Sequence, residues 1–269
     1  MFTTFWEMTF NPFSKSASND STLSFESEDF KQATARLHYL CDIKGIGLFT
    51  GLSGTGKTYT LKKFADSLNP SLFKVLYLPL STLTVLEFYR AIALALGIVP
   101  AFRKIDLFTS IQERIFSLSN DKRITTVIIF DEGQYLNAKI LNDLKILLNF
   151  DMDSKNYAVT IIAAQPVLNS TLSMHSHEAL AQRIVINYSF TGLSKHELPL
   201  YVNSRFKACG VHADIFSPNA LEALWGCCGA SPRLINSLVE KCLHIGFKQS
   251  AKSIETDIVM LANSEISLV

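Results

Sequence analysis

The stretch Gly51-Leu52-Ser53-Gly54-Thr55-Gly56-Lys57-Thr58 constrains this chain more than any other. Its spacing, G-x-x-x-x-G-K-[ST], is that of a phosphate-binding loop. Before it, Ile46-Gly47-Leu48-Phe49-Thr50 reads as a buried strand; after it, Leu61, Phe64, Ala65 and Leu68 recur at helical spacing. Between a strand end and a helix start, the glycines let the backbone curl until successive N–H groups face phosphate oxygens. The helix terminus adds partial positive charge at the same place. Ser53, Gly54, Thr55, Gly56, Lys57 and Thr58 are therefore the candidate nucleotide-binding residues. Lys57 is expected to meet the β- and γ-phosphates of ATP, and the Thr58 hydroxyl to meet Mg²⁺.

A length of 269 residues allows one large α/β domain, or a base domain with a smaller one appended. With 48% hydrophobic residues the chain can build a real core, which argues against global disorder. The formal net charge is only +1, so any nucleic-acid binding must come from a local patch. The cysteines, Cys41, Cys209, Cys227, Cys228 and Cys242, form no C-x-x-C pair and are odd in number. Neither a disulfide framework nor a zinc site is expected, and a reducing cytoplasm is the expected location. His175-Ser176-His177 reads as polar loop, without a third ligand nearby. No stretch approaches the roughly 18 to 20 apolar residues that span a bilayer, and no basic segment followed by an apolar run opens the chain. Neither a membrane span nor a secretory signal is expected.

Phe2, Phe5, Trp6, Phe10 and Phe13 make the start of the chain aromatic, and residues 1–27 are expected to pack on the base domain. Helical spacing runs from Asp29 to Cys41, and the phosphate loop follows. Further strands are expected at 75–80, 125–130, 158–164 and 183–186. Helices between them fit from about Thr84 to Leu96, where Gly97 and Pro100 stop them, then 107–118 and 137–148. Strands alternating with helices argue a parallel five-stranded sheet with helices on both faces. From Ser194 the pattern turns wholly helical, with helices at 196–209, 218–225, 232–247 and 255–262. The expected organisation is an aromatic segment over 1–27, an α/β nucleotide-binding domain over 28–192 and a helical lid over 193–269.

The strand at 125–130 ends in Asp131-Glu132. An apolar strand that delivers two carboxylates downstream of a phosphate loop is the Walker B pattern. Asp131 is the candidate Mg²⁺ ligand, and Glu132 the general base that polarises the attacking water. Ligands of such sheets bind at the carboxyl ends of the strands, where Gly51, Asp131 and Gln165 all fall.

Taken together, the phosphate loop, Asp131-Glu132-Gly133-Gln134, Ala164-Gln165-Pro166, Gln182-Arg183-Ile184 and Gly229-Ala230-Ser231-Pro232-Arg233-Leu234-Ile235-Asn236 resemble AAA+ P-loop NTPases of the ExeA/GspA-like group, related to the TnsC, TniB and IstB transposition regulators. The resemblance implies that Gln165 acts as sensor 1 and Arg233 as the lid arginine of sensor 2. It implies that Arg183 is an arginine finger acting on a neighbouring subunit, hence a homo-oligomer. One departure is visible: Gly133 stands where the group usually has alanine.

Three readings follow from the resemblance. The first is an ATPase that assembles on double-stranded DNA and recruits or regulates a transposase. The second is an ExeA-like ATPase of secretion-apparatus assembly; members with that role carry a membrane span and a peptidoglycan-binding domain after the ATPase, and the sequence ends at Val269 with neither, which sets this reading second. The third is a nucleotide-dependent switch that binds a protein and not DNA. By resemblance to TnsC-type proteins, DNA would meet two loops, with Ser81, Thr82 and Thr84 in one and Arg103 and Lys104 in the other.

Overall fold

Five strands organise the computed structural model, which describes residues 2–14, 23–79, 82–150 and 155–266. They are β1 (Ile46–Gly51), β2 (Phe73–Pro79), β3 (Thr125–Asp131), β4 (Ala158–Ala164) and β5 (Ile184–Phe190). All pair in parallel, in the order β2-β3-β4-β1-β5. β1 and β4 are buried along their whole length, as continuous apolar strands covered on both faces must be. β5 lies at an edge, and its burial alternates along Ile184–Phe190. That explains why it runs past the expected 183–186: Asn187 and Ser189 interrupt the apolar run without ending the strand.

Contacts divide the chain into two compact units. One comprises Gln32–Leu52 and Lys57–Phe190; the other comprises Met1–Lys31, Ser53–Gly56 and Thr191–Val269. In the helical unit lie α1 (Phe2–Phe5), the first turn of α2 (Glu28–Ile43), α9 (Glu197–Ala208), α10 (Pro218–Cys228), α11 (Pro232–Lys248) and α12 (Thr256–Ile266). The sheet unit holds the rest of α2, α3 (Lys57–Ser67), α4 (Val85–Leu96), α5 (Lys104–Asn120), α6 (Ala138–Leu147), α7 (Val167–Leu172) and α8 (Glu178–Ala181).

Two apolar layers sandwich the sheet. Leu48, Ile128 and Phe130 pack with Phe88, Tyr89 and Ile92 of α4, Ile111 and Ile115 of α5, and Leu144 of α6. On the opposite face Phe49, Ile129 and Ile161 pack with Leu37 and Leu40 of α2 and Leu61 and Phe64 of α3. The ends of α4 are set by local chemistry. Thr84 and Glu87 form a reciprocal capping box at its start, and Gly97 closes it at φ +77°, a conformation that suits glycine. α7 was missed by helical spacing because Pro166, Ser170 and Thr171 dilute so short a segment.

The aromatic start of the chain differs from expectation. It belongs to the helical unit and not to the sheet. Trp6, Met8 and Phe13 are buried with Leu198, Phe206, Val239 and Leu243. The Trp6 indole N–H donates to the Leu243 carbonyl at 3.0 Å, and Arg205 Nη1 donates to the Pro12 carbonyl at 2.6 Å. The physical reason is fit: Gly246 on α11 leaves room for the Trp6 ring, since a Cβ there would lie 2.9 Å from it. Among the described residues no helix is long and apolar enough to cross a membrane. Trp6→Ala removes a buried ring and its hydrogen bond, and should destabilise the helical unit by about 3–5 kcal/mol. Urea unfolding followed by circular dichroism measures this, and an unchanged curve would contradict the packing.

Candidate nucleotide site

The phosphate loop leaves β1 at Gly51 and enters α3 at Lys57. Gly54 at φ +84° and Gly56 at φ +103° occupy backbone regions that side chains rarely adopt, which is the curl the motif requires. In the sheet unit Lys57 is buried at the head of α3, and its Nζ donates to the carbonyls of Gly51 at 2.7 Å and Leu52 at 2.8 Å. The ammonium is thus aimed back along the loop, held by two neutral acceptors that an anionic phosphate can replace.

Asp131 ends β3 and is buried. Its Oδ2 accepts the Thr58 hydroxyl at 2.9 Å and the Tyr77 hydroxyl at 2.8 Å, and its Oδ1 accepts the Glu132 N–H at 2.9 Å. A hydroxyl and a carboxylate side by side are hard oxygen donors. They suit Mg²⁺, which keeps several waters and takes one or two carboxylates together with phosphate oxygens. Burial, and then the bond to Asp131, push the Tyr77 phenol well above its ordinary pKa.

Glu132 is exposed and sits at φ +60°, ψ +40°, a left-handed conformation that is uncommon for a residue with a side chain. Gln134 fixes its carboxylate: Gln134 Nε2 donates to Glu132 Oε2 at 2.5 Å, while Gln134 Oε1 accepts the Gln165 N–H at 3.1 Å. The same amide thus ties Glu132 to the end of β4, where Gln165 is half-buried. Gly133 between them is buried, and a Cβ there would lie 2.7 Å from Ile162 Cγ2 and 3.2 Å from the Ala163 carbonyl. The departure from alanine is therefore built into the packing on β4.

In the helical unit, which includes Ser53–Gly56, Arg233 Nη1 donates to Ser53 Oγ at 2.9 Å. Arg233 stands in the first turn of α11, capped by Ser231, whose side chain accepts from Leu234 N–H. Within the sheet unit Arg183 lies apart from Lys57, Thr58 and Asp131. It precedes β5, and β5 runs beside β1 with Ile184 level with Ile46 and Phe190 level with Gly51. At about 3.3 Å per residue this puts Arg183 roughly 20 Å from the end of β1 where the phosphate loop begins, beyond the reach of its side chain. Its Nη1 donates to the Lys145 carbonyl in the last turn of α6 at 2.7 Å.

The residues expected at DNA are differently engaged. Lys104 pairs with Asp143 at 2.5 Å and lies over the Tyr89 ring. Thr84 donates both its N–H and its hydroxyl to Glu87. Thr82 and Arg103 are exposed, and Ser81 lies outside the described residues. His175 meets Glu178 at 2.9 Å, and among the described residues no group of three or more His, Cys, Asp or Glu is placed to hold a metal.

A family model described as AAA domain matches residues 42–172. The chain is 31% identical over 272 residues to General secretion pathway protein A of Aeromonas hydrophila, a match covering 99% of this chain and 49% of that protein. It therefore spans about half the length of that relative. Cdc6p from Pyrobaculum aerophilum superposes with a TM-score of 0.71 at 16% identity, over 95% of this chain and 72% of the other. This is the AAA+ P-loop fold. The Aeropyrum pernix ORC2 protein, solved in ADPNP-ADP complexes, has it too: TM-score 0.66 at 17% identity, over 94% of this chain and 70% of that one.

Within this AAA+ frame, sequence reasoning overlooked Tyr77 and assigned no role to Gln134. Tyr77 sits in the apolar run of β2 and reads as one more ring. The signal for Gln134 was its place two residues after Glu132, but its two bonds become visible only once β4 is set beside β3. Gly133→Ala should cost about 1–3 kcal/mol of stability by overpacking against β4. Thermal unfolding of the sheet unit measures this, and a neutral effect would mean that the turn after Glu132 shifts freely.

Proposed function

We propose that this chain is a Mg²⁺-dependent ATPase of the ExeA/GspA type, and that ATP binding and hydrolysis drive its assembly and its action on a partner. One observation carries the reading: Thr58 and Asp131 meet at 2.9 Å beside Lys57, with Glu132 the next residue in the chain. Backbone N–H groups of Ser53, Gly54, Thr55 and Gly56 cradle the phosphates. Lys57 exchanges the Gly51 and Leu52 carbonyls for the β- and γ-phosphates. Thr58 and Asp131 would hold Mg²⁺, which would supply positive charge against the phosphates there. Glu132 takes the proton of the attacking water. Gln165 orients that water, and Arg233 answers the phosphate charge from α11.

Arg183 acts on the site of a neighbouring copy. The roughly 20 Å separation along β5 leaves it no route to its own phosphate loop, and a guanidinium stabilises the charge on transferring phosphoryl oxygens. Arg183→Ala protein should bind ATP but not hydrolyse it. Mixing it with Lys57→Ala protein should restore part of the turnover, because one interface type then joins an intact phosphate loop to an intact Arg183. A mixture that co-assembles and stays inactive would remove this role.

The similarity to General secretion pathway protein A runs along 99% of the chain, which favours a secretion-type partner over the transposition reading. A reducing, cytoplasmic site of action suits the free cysteines, most of them buried. Assembly on double-stranded DNA with a transposase is the second reading, and the exposed Arg103 and Thr82 are what favour it. With Lys104 and Thr84 bound internally, Arg103 is the remaining cation of the expected set. Steady-state hydrolysis with and without duplex DNA separates the two readings: stimulation that Arg103→Ala abolishes supports DNA. Glu132→Gln tests the core of the proposal. It should leave ATP binding intact and lower turnover by at least about 10², and undiminished turnover would overturn Glu132 as the base.

A further inference from the structure

Asp131 has a partner that the phosphate-loop motifs do not include. Tyr77 stands on β2 level with Ile129, and Pro79 stands level with Asp131, so Tyr77 and Asp131 are diagonal neighbours across the β2–β3 pair. Such diagonals are normally too wide for short side chains but lie within reach of an aromatic one. Leu76 and Leu78, its neighbours along the strand, are buried on one face of the sheet; Tyr77 takes the other and is 48% exposed. Its ring spans the diagonal and delivers the hydroxyl to Asp131 Oδ2 at 2.8 Å, the same oxygen that Thr58 meets at 2.9 Å.

The two donors on that oxygen are not equivalent. Thr58 is itself a candidate metal ligand, and its hydroxyl hydrogen must turn to suit whatever else binds its oxygen. Tyr77 has no such second duty. Its hydroxyl sits at the end of a rigid ring fixed to a strand that is paired residue by residue with β3 from Phe73 to Pro79. The Glu132 N–H holds Oδ1 from the other side. Tyr77 therefore fixes the plane of the Asp131 carboxylate whether or not Thr58 is occupied, and leaves lone pairs on both oxygens for a hydrated cation.

We infer that Tyr77 is a positioning residue for the divalent cation that accompanies the nucleotide: it holds Asp131 ready and thereby sets how strongly Mg²⁺ tightens nucleotide binding. The inference rests on the reading of Asp131 as a Mg²⁺ ligand. Partners that orient metal-binding carboxylates typically change metal affinity by roughly 10–100-fold when removed.

The test is Tyr77→Phe in the full chain, which keeps the ring and removes only the hydroxyl. ADP affinity is measured by calorimetry in EDTA and again across a Mg²⁺ titration, with Asp131→Asn in parallel and thermal unfolding as a check of folding. Tyr77→Phe should keep the wild-type affinity in EDTA, and the Mg²⁺ concentration giving half of the tightening should rise by about 10-fold or more. Asp131→Asn should lose the tightening. If Asp131→Asn loses it while Tyr77→Phe behaves as wild type, the inference is overturned and the metal reading stands. If neither variant moves the Mg²⁺ dependence, the metal reading of Asp131 fails and takes the inference with it. An equal loss with and without Mg²⁺ would show a packing role only, and would overturn it too.

Discussion

The pairing of β1 with β3's neighbour β4 is the constraint on which the rest of the sheet unit depends. Because β3, β4 and β1 are adjacent and parallel, Gly51, Asp131 and Gln165 come together at the carboxyl ends of neighbouring central strands, although they are far apart in the chain. Parallel strands need long crossovers, and here α3 to α6 supply them while covering both faces. Burial of β1, β3 and β4 then removes the freedom that would let their ends drift. Asp131 can be a buried carboxylate because three donors from three directions satisfy it: Thr58 at the head of α3, Tyr77 on β2 and its own neighbour's N–H.

Most of this could be read from residue order. The apolar runs at 46–50, 125–130 and 158–164 have no solvated face, so nothing blurred them. Thr84, Gly97, Pro218 and Pro232 marked helix ends through their own backbone chemistry. Lys57, Thr58 and Asp131 were legible because the motif fixes spacing and the strand fixes direction. What escaped was set by pairing at long range. Tyr77 gains its meaning only from the register that sets it diagonal to Asp131. The internal partner of Lys104 is Asp143 on α6, a contact that no local pattern announces. The aromatic start was placed on the wrong body because hydrophobic content shows that a segment is buried and not what buries it.

Two local rules are broken in the turn that follows β3. Glu132 holds a left-handed backbone, and the glycine after it has no room for a methyl group. Both follow from making a sharp turn directly after a buried strand while keeping a carboxylate exposed. Gln134 closes that turn with one amide, donating to Glu132 and accepting from Gln165 N–H. Glu132 and the end of β4 are therefore mechanically joined, and a change at either reaches the other through a single side chain.

The bond from Trp6 to Leu243 spans 237 residues of sequence. A ribosome adding about 5–20 residues per second needs between roughly ten and fifty seconds to make that stretch. Throughout that interval Trp6, Met8 and Phe13 have been synthesised, but α11, against which they pack, has not. These side chains thus wait for their partners on α11 long after they are made. The sheet unit is complete in the chain once Phe190 has been added, so it can fold first. Truncation within α11 would therefore strip Trp6, Met8 and Phe13 of part of the surface that buries them in the helical unit, and leave three large apolar side chains facing water.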